Sequence, residues 1–386
     1  MEQQKILRSI LYLTFLWALF WSPSFAQEQT TTDSTDFAFI PAIAFNSDQG
    51  FIFGGVVNLY KYKDETRPFY SYTILSGIFS TKGLANFSVF YDKPHAFGKD
   101  LRITTGLYGG RFFEDAFYGI GNYQKITDAP QGLPNYYLFQ SFSLGLESIG
   151  RFPIKKVSDY QQLDASLLVD LVYETPWDND TDRLIMRELP IGVEGGKSFM
   201  LGTGLTWEGR DSEFTPTKGN YASISFRTGQ KLWGSDYTLS LLRYDLRQYA
   251  TFHLIKDITF ATRFSSIHSY GDVPYWKMPY AGDDETLRGY VYRRFMDDNV
   301  SILNTELRTW LFDFPSWTTK IGGTLFFDTG RTYPRGSSLS EITSDIKYTF
   351  GFGGLFSLFT PDFIIRGDFG FSDEGMGVYF QIGYMF

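Results

Sequence analysis

The chain offers few residues for bond-making chemistry. It has three histidines (His95, His253 and His268) and no cysteine, which removes thiolate nucleophiles, disulfides and thiolate metal sites. His253 and His268 fall near opposite ends of one expected strand, so they do not share a site. Ser265 and Ser266 lie beside His268, but no sequence-local carboxylate completes a nucleophile pattern, and they read as ordinary strand residues. Asp283-Asp284-Glu285 lacks the spacing of a calcium loop and reads as a solvated loop tip. No catalytic residue, metal site or cofactor is expected, and the chain is not expected to be an enzyme. What remains is charge pairing. Arg288 stands in a long polar and aromatic loop, followed by Glu306 and Asp328 on two alternating segments.

Strand side chains alternate between faces. Asn304, Glu306 and Arg308 therefore share one face of the first segment, with Leu303, Thr305 and Leu307 on the other. In the second, Asp328, Thr324 and Lys320 oppose Phe327, Leu325 and Ile321. If the polar face is enclosed, an arginine folded into it needs such carboxylates, because an unpaired buried charge is very costly. Arg288 then acts as a loop latch. Gly289 lets the backbone pass close to the wall and Tyr290 packs there.

These residues need a scaffold, and the rest of the chain supplies its pattern. Lys5 and Arg8 precede the apolar run Ile10–Trp21, and Ser24-Phe25-Ala26 offers the small residues of a cleavage site. Residues 1–26 are expected to be a secretory signal peptide, 27–36 a short periplasmic segment, and 37–386 a single barrel domain. The composition is rich in aromatics (39 Phe, 26 Tyr and 8 Trp) and in glycine, with a net charge of −8 that argues against a nucleic-acid partner. Beyond the leader no stretch reaches the length of an apolar membrane helix.

Sixteen alternating segments can be marked between residues 37 and 386, most of them long enough to cross a bilayer as strands. Leu163, Ala165, Leu167, Val169, Leu171 and Tyr173 interleave with polar neighbours, and Tyr348, Phe350 and Phe352 do the same. Aromatics crowd the segment ends, as in an interfacial girdle. The longest connections, 113–133, 175–195 and 269–298, all follow odd-numbered segments, while the others are compact. Long loops on one side and short turns on the other match an outer-membrane barrel. The expected fold is all-β, a 16-stranded antiparallel transmembrane β-barrel with its sixth extracellular loop folded into the lumen. Its interior mixes Arg243, Arg247, Arg263, Arg308 and Arg366 with Asp164, Asp170, Asp245 and Asp368, as a solvated lumen would. In the last segment Val378, Phe380, Ile382, Tyr384 and Phe386 make one apolar face.

Several of these residues together resemble the BamA/TamA family of outer-membrane proteins. Leu287-Arg288-Gly289-Tyr290 resembles the Arg-Gly-aromatic motif of that family's sixth extracellular loop, and it falls between segments 11 and 12. Phe327-Asp328-Thr329-Gly330 is similar to the family's aspartate motif on strand 13, and Glu306 sits where a strand 12 carboxylate is placed. Arg210-Asp211 with Pro216-Thr217-Lys218-Gly219, and Tyr118-Gly119-Ile120-Gly121-Asn122, are also similar to family segments. The aromatic ending, Tyr384 and Phe386, resembles the C-terminal signal by which such barrels are recognised for insertion. One departure is that residues 27–36 leave no room for the periplasmic POTRA domains that usually precede the barrel.

The resemblance implies a bacterial outer-membrane location and a role in inserting or translocating proteins, or moving lipid. It implies outer-membrane lipid as surroundings, and client outer-membrane proteins or a periplasmic accessory protein as partners. The alternative is a passive, loop-plugged pore or structural barrel without clients. A weak seam is expected between the first and last strands. Pro41 cannot donate to a ladder, and Gly375, Gly377 and Gly383 weaken the other edge.

Overall fold

The computed structural model describes residues 34–386, apart from 47–49, 64–68, 123–128, 134, 159–160, 178–179, 316–318 and 358–363. The predicted signal peptide and most of the segment 27–36 lie outside the described residues.

Alternation gives strands throughout. The first eight are β1 (Ser34–Asn46), β2 (Gly50–Tyr62), β3 (Ser71–Ser80), β4 (Ala85–Lys93), β5 (Arg102–Ala116), β6 (Leu138–Ser158), β7 (Gln161–Pro176) and β8 (Gly196–Arg210). The second eight are β9 (Gly219–Gly229), β10 (Leu239–His253), β11 (Asp257–Gly271), β12 (Asn299–Phe314), β13 (Thr319–Tyr333), β14 (Lys347–Ser357), β15 (Ile364–Phe371) and β16 (Met376–Ile382). They form one antiparallel sheet in strict chain order, with β1 and β16 at its two ends. Among the described residues those two strands approach each other, but no hydrogen-bonded ladder joins them.

One face of the sheet is apolar and open. Leu167, Leu325 and Phe350 are more than half exposed, and Phe87, Leu246 and Phe264 lie on the same side. The other face carries the charges and is covered by the long connections. Phe117, Phe139, Ile185, Tyr275 and Trp276, drawn from all three of them and from the start of β6, pack into one apolar cluster. Among the described residues no helix is long and apolar enough to cross a membrane, so any crossing is made by strands.

Two boundaries differ from the sequence reading. β6 runs to Ser158 instead of stopping near residue 149, because its ladder with β7 continues through register shifts at Pro153 and Lys156 that blur the alternation. β16 stops at Ile382, where the expected apolar face continues to Phe386. Gly383 takes a positive φ of 89°, and the chain leaves the strand there. Tyr384 and Phe386 then turn toward the Arg308 guanidinium, their ring centroids 4.1 and 4.8 Å from its carbon. Phe386 is buried with Tyr249 and Ala261, so these two aromatics do not extend the apolar face.

Candidate functional site

Residues 272–298 join β11 to β12 and fold back over the polar face. A two-residue ladder, Tyr280–Ala281 against Phe295–Met296, pinches the base of this loop. Ala281, Leu287, Tyr290 and Phe295 pack on Val300 and Ile302, which point inward at the start of β12. That apolar platform delivers Arg288 to the charged positions farther along the same face.

Arg288 is fully buried. Its Nε and Nη2 donate to the two oxygens of Asp328 at 2.8 and 2.9 Å, a bidentate fork. Its Nη1 donates to Glu306 at 2.6 Å and to Asp368 at 3.1 Å. The guanidinium carbon lies 3.5 Å from the centre of the Phe326 ring. Burial alone would lower the arginine pKa, but Asp328, Glu306 and Asp368 more than offset that and raise it. The structure therefore brings Arg288, Glu306 and Asp328 together and adds Asp368 from β15.

Two further arginines balance the carboxylates. Arg308 donates through Nε to Glu306 at 2.8 Å, and Arg366 Nε lies 3.1 Å from Asp368. Three guanidinium groups and three carboxylates thus form one closed network, each at most 2 % exposed. Arg308, Arg366 and Asp368 had been read as part of a solvated interior. They are instead packed under the loop, which the alternation of a single strand does not reveal.

Gly289 has a positive φ of 109°, and a Cβ there would sit 2.9 Å from the Gly370 carbonyl carbon. Only glycine at both positions allows this approach. The Gly289 N–H donates to the Tyr379 hydroxyl at 3.2 Å, and that hydroxyl donates to the Tyr290 carbonyl at 3.2 Å. Tyr290 does more than pack against the wall. Its hydroxyl donates to Asp373 at 2.5 Å in the turn between β15 and β16. Arg294 forks onto Glu374 of the same turn, both bonds 2.6 Å. The Ser372 hydroxyl donates to the Gly289 carbonyl at 3.0 Å, and Gln381 of β16 bonds Asp284. The loop is therefore bound all along the last hairpin.

The acidic tip is solvated as expected at Glu285, and Asp284 is half-buried, but Asp283 departs from the expectation. Asp283 is buried and accepts from the Glu285 N–H at 2.9 Å and the Thr286 hydroxyl at 2.7 Å. Burial, with Asp284 close by, pushes its carboxyl up to about 7. Among the described residues no cluster of His, Asp or Glu is arranged to hold a metal ion.

The two remaining motifs are also placed. Asp211 accepts from the Thr217 and Lys218 N–H groups at 2.9 and 3.1 Å, closing the turn before β9. Gly121 donates to the Met296 carbonyl at 2.6 Å, and Asn122 accepts from the Thr332 hydroxyl at 3.1 Å, so Tyr118–Asn122 buttresses the loop base.

The profile of the Omp85 superfamily domain matches residues 85–386. The chain belongs to the Omp85 superfamily. Its members are outer-membrane β-barrel proteins, and the chain is placed in the outer membrane accordingly. Among solved structures, BamA from Haemophilus ducreyi lacking POTRA domains 1–3 aligns with 92 % of this chain and 70 % of its own, at 14 % identity and a TM-score of 0.58. CdiB from Acinetobacter baumannii aligns with 92 % of this chain and 66 % of its own, at 16 % identity and a TM-score of 0.56. CdiB from Escherichia coli gives 93 % and 63 %, at 12 % identity and a TM-score of 0.58. This Omp85 chain thus spans about two thirds of the length of its solved relatives. No curated protein sequence matches it significantly.

Proposed function

We propose that this Omp85 protein inserts or translocates client proteins at the outer membrane through the seam between β1 and β16, with the 272–298 loop as its latch. In this reading residues 37–386 form one barrel, closed by the edges of the sheet, with the loop in the lumen. Exported by residues 1–26, it sits in outer-membrane lipid and meets clients, or an accessory protein, from the periplasm. The observation that carries the reading is an imbalance at the seam. Among the described residues β16 has a ladder with β15 alone, yet the loop bonds Asp368, Ser372, Asp373, Glu374, Tyr379 and Gln381 around it. Among the described residues the loop gives the last hairpin its side-chain bonds, while no ladder to β1 is seen. A strand at the end of a sheet can act as a template for an incoming strand. Insertion by that route makes and breaks no covalent bond, so the role needs no catalyst.

The chain has no cysteine, so introduced thiols report cleanly. In vesicles carrying the purified protein, a urea-denatured outer-membrane protein should fold faster than in empty vesicles. Arg294→Cys with Glu374→Cys, joined by a bifunctional maleimide, should abolish that gain, while the unjoined double variant keeps it. If the wild type gives no gain, the insertase reading fails and a passive plugged barrel remains.

A further inference from the structure

We propose that Ser266, His268 and Asn299 form an acyl-transfer site on the lipid-facing side of the sheet, with the fatty acyl ester of a membrane lipid as substrate. This lies beyond the insertion role and does not depend on it. Ser266 and His268 stand two residues apart on β11, on the same face as Phe264 and Tyr270. Asn299 pairs directly with His268 across the ladder to β12, and Ser301 with Ser266. The site lies at the end of the strands from which the long loops emerge.

The hydrogen bonds fix the roles. Asn299 Nδ2 donates to the Tyr333 carbonyl at 3.1 Å, which turns its Oδ1 toward His268 Nδ1 at 3.0 Å. His268 Nδ1 must then carry the proton. In the neutral ring Nε2 presents its lone pair to Ser266 Oγ, 3.0 Å away. This is the order of a nucleophile, a base and an orienting amide, an arrangement that recurs on unrelated folds. The Ser301 hydroxyl is 3.0 Å from Ser266 Oγ and 3.1 Å from the Tyr333 hydroxyl, beside the place where the ester's carbonyl oxygen would gain its negative charge once Ser266 attacks, so it can donate there.

The rings of Tyr244 and Tyr333 flank His268, centroids 5.7 and 6.3 Å away, and Ser266 is only 2 % exposed. At rest its hydroxyl donates to the Val300 carbonyl at 2.8 Å, and that proton must swing to His268 Nε2 before attack. The aromatic cover must part before an ester reaches it. In the reaction Ser266 Oγ attacks the ester carbonyl carbon and His268 Nε2 takes the hydroxyl proton. The bond to the lipid alcohol breaks, and that oxygen leaves with the proton from His268. Water then attacks the acyl-serine, its proton passing through His268, to release the fatty acid and restore Ser266.

Asn299 is a positioning residue, and Ser266 and His268 are the groups that touch substrate. Two sources share the ester chemistry, a glycerophospholipid and an acylated glycolipid. The detergent-solubilised full-length protein is treated with a fluorophosphonate, and the modified peptide is identified by mass. The same protein is then incubated with phosphatidylethanolamine vesicles in one arm and with purified lipopolysaccharide in the other, and released fatty acid is measured. The expected result is phosphonylation at Ser266, about 10³-fold slower in His268→Ala. It should be slowed in Asn299→Ala, largely restored in Asn299→Asp, and faster in Tyr244→Ala. Fatty acid released in either arm supports the site and names its source. The proposal is overturned if neither the wild type nor Tyr244→Ala is modified at Ser266, if His268→Ala reacts at the wild-type rate while still running as a folded barrel, or if neither lipid is cleaved.

Discussion

The two ends of the sheet are built on different principles. On the polar face between β2, β3 and β4 the bonds include short-range neutral ones, such as Tyr72 to Asn58 at 2.6 Å and Ser76 with Ser88 at 2.7 Å, and the buried charge at Asp92 pairs with Arg102 of the neighbouring β5. On β12–β16 the same face carries five buried charges of one network, and the loop brings the sixth, Arg288, which reaches Asp368 eighty residues on. Neutral hydroxyl pairs contribute little each and break independently. A closed charge network fails as a unit, because removing one member strands the others. The contrast teaches where motion should occur. On the proposed reading, the β1 side of the seam should yield strand by strand, and the β16 side should be held until the loop lets go.

Removing the guanidinium tests the contrast most severely. Arg288→Ala leaves Asp328, Glu306 and Asp368 facing one another and should cost about 3–5 kcal/mol, read as a lowered midpoint of heat-modifiable gel migration. Arg288→Lys keeps the charge without the fork and should recover only part of it. Arg288→Met combined with Glu306→Gln and Asp328→Asn should recover more, since fewer charges are stranded. A wild-type midpoint for Arg288→Ala would show that the network does not hold the loop.

A pH series sharpens the contrast with a smaller expected effect. Burial pushes the folded Asp283 carboxyl up to about 7, while an unfolded one stays near the ordinary aspartate value of 3.8. Its raised pKa favours the packed loop fully below the lower value. That contribution is lost as pH rises to the upper one, because the released loop sheds its proton first. Loop release, followed by maleimide labelling of Tyr290→Cys, should therefore speed up between those values. Asp283→Asn should flatten the profile.

Two milder variants set the lower bounds. Glu374→Ala frees Arg294 at a partly exposed turn and should cost about 1 kcal/mol, while raising the labelling of cysteines placed on β16. Ser76→Ala on the β3 side should stay within about 0.5 kcal/mol of the wild type. A larger loss there than at Glu374 would reverse the assignment of held and yielding sides.

Much of this was legible in the residues. Alternation placed sixteen strands, and the polar positions of Glu306 and Asp328 put both carboxylates on the face the loop covers. Asp368 escaped because it lies forty residues beyond Asp328 and two strands away, and eighty beyond Arg288, a proximity set by sheet order, not by local spacing. Asn299 escaped for the same reason. Ser266 is the sequence-local partner of His268 Nε2, but the partner of Nδ1 comes from the register between β11 and β12. The inward turn at Gly383 was hidden because alternation of Tyr384 and Phe386 fits a strand equally well. The glycine φ, invisible in sequence, decides it.

The docking of Phe386 has a kinetic consequence. Its carbonyl accepts from Arg308 Nη2 at 3.1 Å across a separation of 78 residues, and its ring rests on Tyr249 and Ala261, still earlier in the chain. Contacts that close such long loops form late, after the strands they bridge are in place. β10, β11 and β12 must all be paired before Phe386 finds its seat. Docking of this tail therefore works as a completion check on the folded half of the sheet, and its fluorescence-quenched arrival beside Tyr249 would time the last step of folding.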